Sequence, residues 1–278
     1  MIEVQRLSVQ LHRGFRLDNL EFRLEEGSVT AIIGPNGAGK STLIRLLAGD
    51  LPITSGSIRW QGKELTQFHP KEIAQERAVL TQKMHLSQAF TAEEVVLMGR
   101  YPHFNHFPQP ADLAITKAAI HRGELQALAH RSYHQVSGGE QQRIQLARAF
   151  AQIGGNNGPY LLLLDEPLNN LDLRYQHHLL QQTRDFASEG NCVLIVMHEL
   201  NLASQYADQL LLLDQGKQIA VGSPEAVCQS ELLSEVYQYP LLALPHPLNG
   251  RPMIIPATPN PESGGTRHNH DSPQTLSS

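Results

Sequence analysis

A glycine-rich segment early in the chain restricts the possible folds more than any other feature. It comprises Gly34, Pro35, Asn36, Gly37, Ala38, Gly39, Lys40, Ser41 and Thr42. The apolar run 29–33 directly precedes it, and leucines at helical spacing follow it. A strand, a glycine-rich turn and a helix in this order form a P-loop, whose backbone N–H groups surround phosphate oxygens. We therefore predict that Lys40 supplies a positive charge to phosphate and that Ser41 supplies a hydroxyl to Mg²⁺.

Length and composition narrow the class of protein further. The chain has 278 residues, 41% of them apolar, which suffices for one large α/β domain or a domain with a subdomain. Cys192 and Cys228 are too few for a disulfide framework, which favours a reducing compartment. A net charge of −5 argues against binding nucleic acid mainly through its phosphates. We find neither a signal peptide nor a long apolar span, so we expect any membrane role to depend on a partner.

Hydrophobic patterns predict an α/β fold of the P-loop NTPase type. Alternation over 7–11 and 20–24 predicts an antiparallel β layer. Apolar runs at 160–164, 193–197 and 210–213 predict a mostly parallel sheet, with the last run forming a hairpin at the sheet edge. The predicted domains are an ATP-binding core (1–82 and 160–239), a helical subdomain (83–159), a C-terminal extension (240–257) and a disordered tail (258–278).

Two adjacent carboxylates follow one of the buried runs. Asp165 and Glu166 come directly after four leucines. In a parallel α/β sheet the carboxyl ends of the strands share one edge, which is also the edge of the P-loop. We predict that Asp165 holds Mg²⁺, directly or through water, and that Glu166 polarises the water that attacks the γ-phosphorus. A helix N-terminus that favours acidic residues explains one carboxylate but not the pair.

Two more polar residues follow predicted strands. His198 comes after the apolar run 193–197, and we predict that its imidazole hydrogen-bonds the γ-phosphate and orients the attacking water. Gln82 follows the run 78–81, and we predict that its amide oxygen contacts Mg²⁺ and the same water. The alternatives are a surface glutamine after an edge strand and a histidine without a chemical role, since the chain has 14 histidines.

A second predicted anion-binding segment lies farther along the chain. Ser137, Gly138, Gly139 and Glu140 precede a helical pattern, and Ser137 and Glu140 have the spacing of a capping box. Glycines at a helix N-terminus expose backbone N–H groups to an anion. An ordinary helix start is the alternative interpretation. The two segments need not bind two ligands, because a second copy of the chain can bring its segment to the same nucleotide.

These motifs stand in the order found in ATP-binding subunits of ABC transporters, which the chain resembles over roughly residues 1–240. In that family they are the Walker A, Q-loop, signature, Walker B and switch-histidine elements, and Leu171-Asp172 matches the D-loop. The resemblance implies ATP and Mg²⁺ as cofactors, with Asp172 contributing to the nucleotide site. It also implies a head-to-tail homodimer that holds two ATP molecules between the P-loop of one copy and the signature of the other.

The same resemblance implies the partners. They are integral membrane permease subunits and an extracytoplasmic substrate-binding protein, which would place the chain at the cytoplasmic face of the inner membrane. Residues 95–103 and 198–208 resemble ATPases of importers for iron siderophores, cobalamin and haem. His246-Pro247, Gly250, Pro252 and the ending 254–256 resemble the C-terminal extension of haemin import ATPases. We therefore predict an ATPase that powers haemin uptake, with siderophore or cobalamin uptake as the alternative.

Some positions depart from the family pattern. Residues 168–170 read Leu-Asn-Asn where small residues are usual, and Glu199 stands where aspartate is commoner. The aromatic residue that stacks on adenine is absent at Val9, so we expect His12 or Phe15 to replace it.

Other functional classes fit the sequence less well. A P-loop kinase or GTPase has no use for the segment 137–140. An ABC ATPase that acts on nucleic acid or ribosomes usually has coiled-coil arms or two cassettes, whereas this chain has one compact cassette and an acidic balance. Lys40, Asp165, Glu166 and His198 argue against an inactive binding module.

Overall fold

A computed structural model describes residues 1–10, 16–81, 89–155 and 158–257. The strands in these ranges are β1 (Ile2–Gln10), β2 (Arg16–Leu24), β3 (Ser28–Ile33), β4 (Ser55–Trp60), β5 (Lys63–Glu64), β6 (Arg77–Leu80), β7 (Leu161–Leu164), β8 (Cys192–Val196), β9 (Gln209–Asp214), β10 (Lys217–Gly222), β11 (Leu241–Pro245) and β12 (Pro252–Pro256). The helices are α1 (Lys40–Leu47), α2 (Pro70–Glu76), α3 (Ala92–Leu97), α4 (Pro110–Arg122), α5 (Gly138–Gln152), α6 (Leu173–Ser188), α7 (Leu200–Tyr206), α8 (Pro224–Val227) and α9 (Ser230–Tyr237). Short 3₁₀ helices span Leu65–Gln67, Met98–His103, Gln126–Leu128 and Tyr133–Gln135.

Ten strands form one mixed sheet in the order β5-β4-β1-β2-β10-β9-β3-β8-β7-β6. Strands β6, β7, β8, β3 and β9 run parallel. Strands β1, β2, β4 and β5 pair antiparallel. The predicted α/β fold, with a parallel sheet and an antiparallel β layer, is therefore confirmed.

The predicted hairpin after β9 exists, but its predicted place in the sheet is wrong. Its turn residues Gln215 and Gly216 have φ angles of 46° and 79°, and positive angles at both positions suit the twist of a two-residue hairpin. However, Lys217 of β10 pairs with Asp18 of β2. The hairpin therefore joins the parallel strands to the antiparallel layer and does not end the sheet.

The parallel strands are apolar because both of their faces are covered. Alternate side chains of a strand point to opposite faces. Ala31 and Ile33 of β3 belong to a cluster with residues of α5, α6 and α9, while Ile32 belongs to a cluster with Leu43 and Leu47 of α1. This burial on two sides gives β7 and β8 continuous apolar sequences in place of alternation.

Helices α3, α4 and α5 pack around a third hydrophobic cluster, which includes Val95, Ile120, Leu125 and Ile144. A separate cluster fits a helical subdomain, whose boundaries at 83 and 159 stay a prediction. Most of the predicted C-terminal extension forms the β11–β12 hairpin. No helix in the described part of the chain is long and apolar enough to cross a bilayer. Gln82, His12, Phe15 and the tail 258–278 lie outside the described residues, so the expectations about them stay predictions.

Candidate functional site

The P-loop connects β3 to α1 at the carboxyl edge of the parallel strands. Gly34 has a φ of 143°, and a Cβ there would lie 2.0 Å from the carbonyl oxygen of Leu213 in β9. Only glycine permits this close approach of two backbone segments. A cavity of about 270 Å³ is lined by Asn36, Gly37, Gly39, Lys40, Ser41, Thr42 and Glu166. The fold thus brings the P-loop and the predicted catalytic carboxylate to one cavity.

Lys40 is buried against the loop that it follows. Its Nζ donates to the carbonyl oxygens of Gly34 at 2.7 Å and Pro35 at 2.9 Å. Burial lowers the pKa of Lys40, while the negative charges of Glu166 and Asp165 oppose that effect. Hydrogen bonds between two charged groups are stronger than those to neutral carbonyls. A phosphate that entered the cavity would therefore compete successfully for the Lys40 ammonium.

Ser41 and Asp165 place two oxygen atoms side by side. Ser41 Oγ donates to Asp165 Oδ1 at 3.0 Å, and the Asp165 N–H donates to the carbonyl oxygen of Leu80 at 2.9 Å, which fixes the residue against β6. Burial raises the pKa of Asp165, the Ser41 hydrogen bond lowers it, and the charge of Glu166 raises it again. A hydroxyl beside a poorly solvated carboxylate fits a hard divalent cation such as Mg²⁺, which prefers oxygen ligands.

Glu166 is held at both carboxylate oxygens. Oε1 lies 2.6 Å from Nε2 of His198, and Oε2 accepts a hydrogen bond from Asn169 Nδ2 at 2.9 Å. The backbone φ of Glu166 is 51°, a conformation that costs a non-glycine residue roughly 1 to 3 kcal/mol. Such strain is typical of functional sites, where it fixes the direction of a side chain.

The surroundings of Glu166 keep it ionised. Burial raises its pKa, but the hydrogen bonds from His198 and Asn169, together with the charges of His198 and Lys40, outweigh this effect, so the net pKa lies below the ordinary value. A carboxylate must be ionised to accept a proton from water. The arrangement of Glu166, His198 and Asn169 therefore suits general-base chemistry beside a phosphate-binding loop.

Ser137 caps the N-terminus of α5 as the sequence spacing predicts. Ser137 N–H donates to Glu140 Oε2 at 2.7 Å, and the Glu140 N–H donates to Ser137 Oγ at 3.3 Å. The Ser137 N–H lowers the pKa of Glu140. Ser137, Gly138 and Gly139 line a cavity of about 570 Å³ together with Glu140, Arg143, Asn170, Leu171, Asp172 and Tyr175.

This second cavity is distinct from the cavity of the P-loop, because the two have no lining residue in common. Asp172 lies in the second cavity, where its Oδ1 accepts a hydrogen bond from the Tyr175 N–H at 2.9 Å and caps α6. The structure therefore brings Lys40, Ser41, Asp165, Glu166 and His198 together. It places Ser137, Gly138, Gly139, Glu140 and Asp172 in a separate group.

Sequence reasoning missed the role of Asn169. Residues 168–170 were distinctive only as a departure from the usual small residues, yet Asn169 holds one oxygen of Glu166. The available signal was the spacing, because a residue three positions after Glu166 on a tight turn lies close enough to hydrogen-bond it.

The C-terminal hairpin is hydrogen-bonded to α7, the helix that follows His198. Asn201 near the start of α7 donates to the Ile254 carbonyl oxygen at 3.1 Å and accepts from the Ile254 N–H at 2.7 Å. Ser204 Oγ donates to the Pro252 carbonyl oxygen at 2.6 Å. Since α7 begins two residues after His198, these hydrogen bonds attach the segment that follows the histidine to β12. Nothing local in the sequence signals this long-range contact.

The sequence matches known proteins over most of its length. The profile of the family described as "ABC transporter" matches residues 17–169. A protein from Hahella chejuensis named hemin import ATP-binding protein HmuV is 41% identical over 257 residues, which cover 92% of this chain and 99% of that protein. A protein of the same name from Gloeobacter violaceus is 43% identical over 258 residues, which cover 92% of this chain and 94% of that protein.

Solved structures share the fold. A chain in an inward-facing structure of a putative metal-chelate type ABC transporter has a TM-score of 0.78 and 28% identity, covering 92% of this chain and 97% of that chain. A dimeric ATP-binding cassette in a post-hydrolysis state, bound to ADP and phosphate, has a TM-score of 0.70 and 23% identity, covering 80% of this chain and 98% of that chain. At the lower identity, the similarity concerns the fold alone.

Proposed function

Since the chain belongs to the ABC transporter family, we propose that it is the ATP-hydrolysing subunit that powers haemin uptake through a membrane-embedded permease. The observation that carries this proposal is the identity of 41% and 43% to hemin import ATP-binding proteins over 92% of the chain. The nucleotide site cannot identify the cargo, because the ATPase subunit does not contact the transported molecule. The cargo therefore rests on overall similarity, and the ATPase chemistry rests on the site.

ATP binding is proposed to begin at the P-loop. The backbone N–H groups of this loop donate hydrogen bonds to the phosphate oxygens. Lys40 leaves the carbonyl oxygens of Gly34 and Pro35 and donates to the phosphates as well. Ser41 and Asp165 would hold Mg²⁺, which neutralises charge on the β- and γ-phosphates. Gln82, which lies outside the described residues, is proposed as a further ligand.

Hydrolysis is proposed to depend on Glu166 and His198. Glu166, ionised and fixed at both oxygens, accepts a proton from the water that attacks the γ-phosphorus. His198 keeps Glu166, which lines the cavity, in position, and we propose that its imidazole also hydrogen-bonds the γ-phosphate. Phosphoryl transfer needs mainly such positioning and electrostatic stabilisation.

We further propose that the nucleotide is enclosed between two copies of the chain. Within one copy, the P-loop and the segment Ser137–Glu140 line different cavities, although both have the properties of anion sites. A head-to-tail pair would place the exposed Ser137 and Gly138 of one copy over the triphosphate in the other. The two α5 N-termini then face two ATP molecules, and hydrolysis opens the pair.

The permease is proposed to dock in a groove beside α2. The groove has a volume of about 570 Å³, and its lining includes Leu51, Ile53, Phe68, Ile73 and Arg77. It adjoins β6, which leads to Gln82, so a docked permease helix would be linked to the nucleotide site. This partner would hold the subunit at the cytoplasmic face of the inner membrane, and an extracytoplasmic binding protein would complete the system.

Replacement of His198 by alanine tests the proposed base. The substitution removes the larger of the two hydrogen bonds that lower the pKa of Glu166. The carboxylate will then ionise only at higher pH, so the acid limb of the pH profile of ATP hydrolysis should move to higher pH. We also expect turnover at pH 7 to fall by about 10-fold or more, because the water loses its orientation. An acid limb that stays in place, or moves to lower pH, would contradict this assignment.

Replacement of Ser41 by alanine tests the proposed Mg²⁺ ligands. It removes one of the two adjacent oxygens and the hydrogen bond to Asp165. We expect the Mg²⁺ concentration for half-maximal hydrolysis to rise by about 10-fold, measured by phosphate release, while ATP binding in EDTA stays unchanged. Ser41→Thr keeps the hydroxyl and is the control. Equal Mg²⁺ dependence in Ser41→Ala and the wild type would exclude Ser41 as a ligand.

Transport measurements test the cargo. The subunit is reconstituted with its permease and binding protein in liposomes, and ATP-driven uptake is compared for labelled haemin, cobalamin and a ferric siderophore. We expect haemin uptake that is lost in the Glu166→Gln variant. Uptake of the siderophore or cobalamin alone would replace haemin with that cargo and leave the ATPase assignment intact.

A further inference from the structure

Tyr237 at the end of α9 has a buried hydroxyl that makes no hydrogen bond with any residue that the structure describes. Its ring packs against the hydrophobic cluster that includes Ile33 of β3 and Leu212 of β9. Buried polar groups in native proteins are nearly always hydrogen-bonded, because an unpaired one loses its hydration without compensation. A phenylalanine would fill the same space without this cost, so the hydroxyl calls for an explanation.

The Tyr237 hydroxyl faces the first residue of the P-loop. Burial raises the pKa of Tyr237 to about 12, and the nearby backbone N–H of Gly34 opposes that rise. The two groups are near each other but do not meet hydrogen-bond geometry. The carbonyl oxygen of the same glycine accepts a hydrogen bond from Lys40 at 2.7 Å. The Tyr237 hydroxyl therefore lies near the N–H of Gly34, and Lys40 binds the carbonyl oxygen of the same residue.

Gly34 is also packed closely against β9. Its Cα lies so close to β9 that an added Cβ would be 2.0 Å from the Leu213 carbonyl oxygen. When Lys40 releases the Gly34 carbonyl, we expect the peptide of Gly34 to rotate slightly, and a short movement is enough to complete a hydrogen bond to a nearby hydroxyl.

We propose that Tyr237 is a positioning residue for the P-loop, whose hydroxyl accepts a hydrogen bond from the Gly34 N–H when phosphate draws Lys40 away from the loop carbonyls. This inference rests on the proposed ATP-binding function. Tyr237 does not touch the nucleotide, and it acts through Gly34. The hydrogen bond is gained on binding, so it increases nucleotide affinity and does not stabilise the free protein.

Tyr237→Phe separates this role from simple packing, because it keeps the ring and removes only the hydroxyl. Without nucleotide, the melting temperature should rise by about 2 °C, since an unpaired buried hydroxyl is removed. The Kd for ATP should increase roughly three- to tenfold, the value of one hydrogen bond. The KM should rise with it, while kcat at saturating ATP stays close to the wild-type value. Opposite changes in stability and affinity are the distinguishing result.

Three variants serve as controls. Tyr239→Phe changes a tyrosine that is 44% exposed and lies beyond the end of α9, and neither quantity should change. Tyr237→Leu also removes the ring, so it should lower both melting temperature and affinity.

The proposal is overturned if Tyr237→Phe binds ATP like the wild type, or if its stability falls together with its affinity. Lys40→Ala sets the baseline for lost binding, and a wild type that binds no better than Lys40→Ala would refute the proposed function itself.

Discussion

Glu166→Gln is expected to lower ATP turnover by about 10²- to 10⁴-fold while leaving ATP binding intact. Glutamine has the size of glutamate and retains one oxygen acceptor, so it can keep one of the two contacts with His198 and Asn169, while its NH2 group cannot accept the other hydrogen bond. It cannot accept the proton of the attacking water. The positive φ at residue 166 constrains glutamate and glutamine equally, so the substitution adds no new backbone strain.

Phosphate release, ATP binding and size-exclusion chromatography measure this outcome. We expect the Glu166→Gln variant to accumulate as an ATP-stabilised dimer, because the step that opens the dimer is blocked. Asn169→Ala is the matched comparison: it removes one hydrogen bond to Glu166 but keeps the base, so turnover should fall less. Undiminished turnover in Glu166→Gln would remove Glu166 from its role, and loss of ATP binding would indicate a structural role.

Gly138→Asp is expected to abolish hydrolysis without harming the fold or ATP binding at the P-loop. Among the described residues, a Cβ at Gly138 would meet only Asn170 Cβ, at 4.0 Å, and an acidic residue in the first turn of α5 interacts favourably with the helix dipole. In the proposed dimer, the new carboxylate would face the triphosphate of the other copy. Repulsion between these charges should prevent closure and reduce turnover by about 100-fold or more.

Gly138→Asn separates charge from size. It has the same shape as Gly138→Asp without the negative charge, so we expect it to retain more activity. Melting temperature and ATP binding should stay close to wild type in both variants. If Gly138→Asp hydrolyses ATP at the wild-type rate, then α5 does not approach the nucleotide and the segment Ser137–Glu140 is only a helix cap.

Much of the site follows from local sequence signals. The P-loop, the pair Asp165-Glu166 and His198 each lie directly after a buried strand, and parallel strands bring such positions to one edge. The capping box of Ser137 and Glu140 is likewise a local pattern with a fixed spacing. These features were predictable because the residues involved are near each other in sequence or are collected by a simple rule of topology.

Contacts between distant segments were not predictable from local patterns. The pairing of Lys217 with Asp18, which places β10 inside the sheet, consists of a single residue pair. The hydrogen bonds between Asn201 and Ile254 join α7 to β12 across 53 residues. Neither leaves a periodic signal in the sequence, because each depends on how complete elements pack together.

Cross-linking tests the central claim most directly, namely that ATP is enclosed between two copies of the chain. Cys192 and Cys228 are buried, and burial raises their pKa values to about 11 and about 12, so they should not react. We place cysteines at two exposed positions, Asn36 within the P-loop and Gln135 beside the signature. In the Glu166→Gln background, a short bis-maleimide should produce a covalent dimer only when Mg²⁺ and ATP are present. A protein that binds ATP fully, yet remains monomeric on a denaturing gel, would contradict the account.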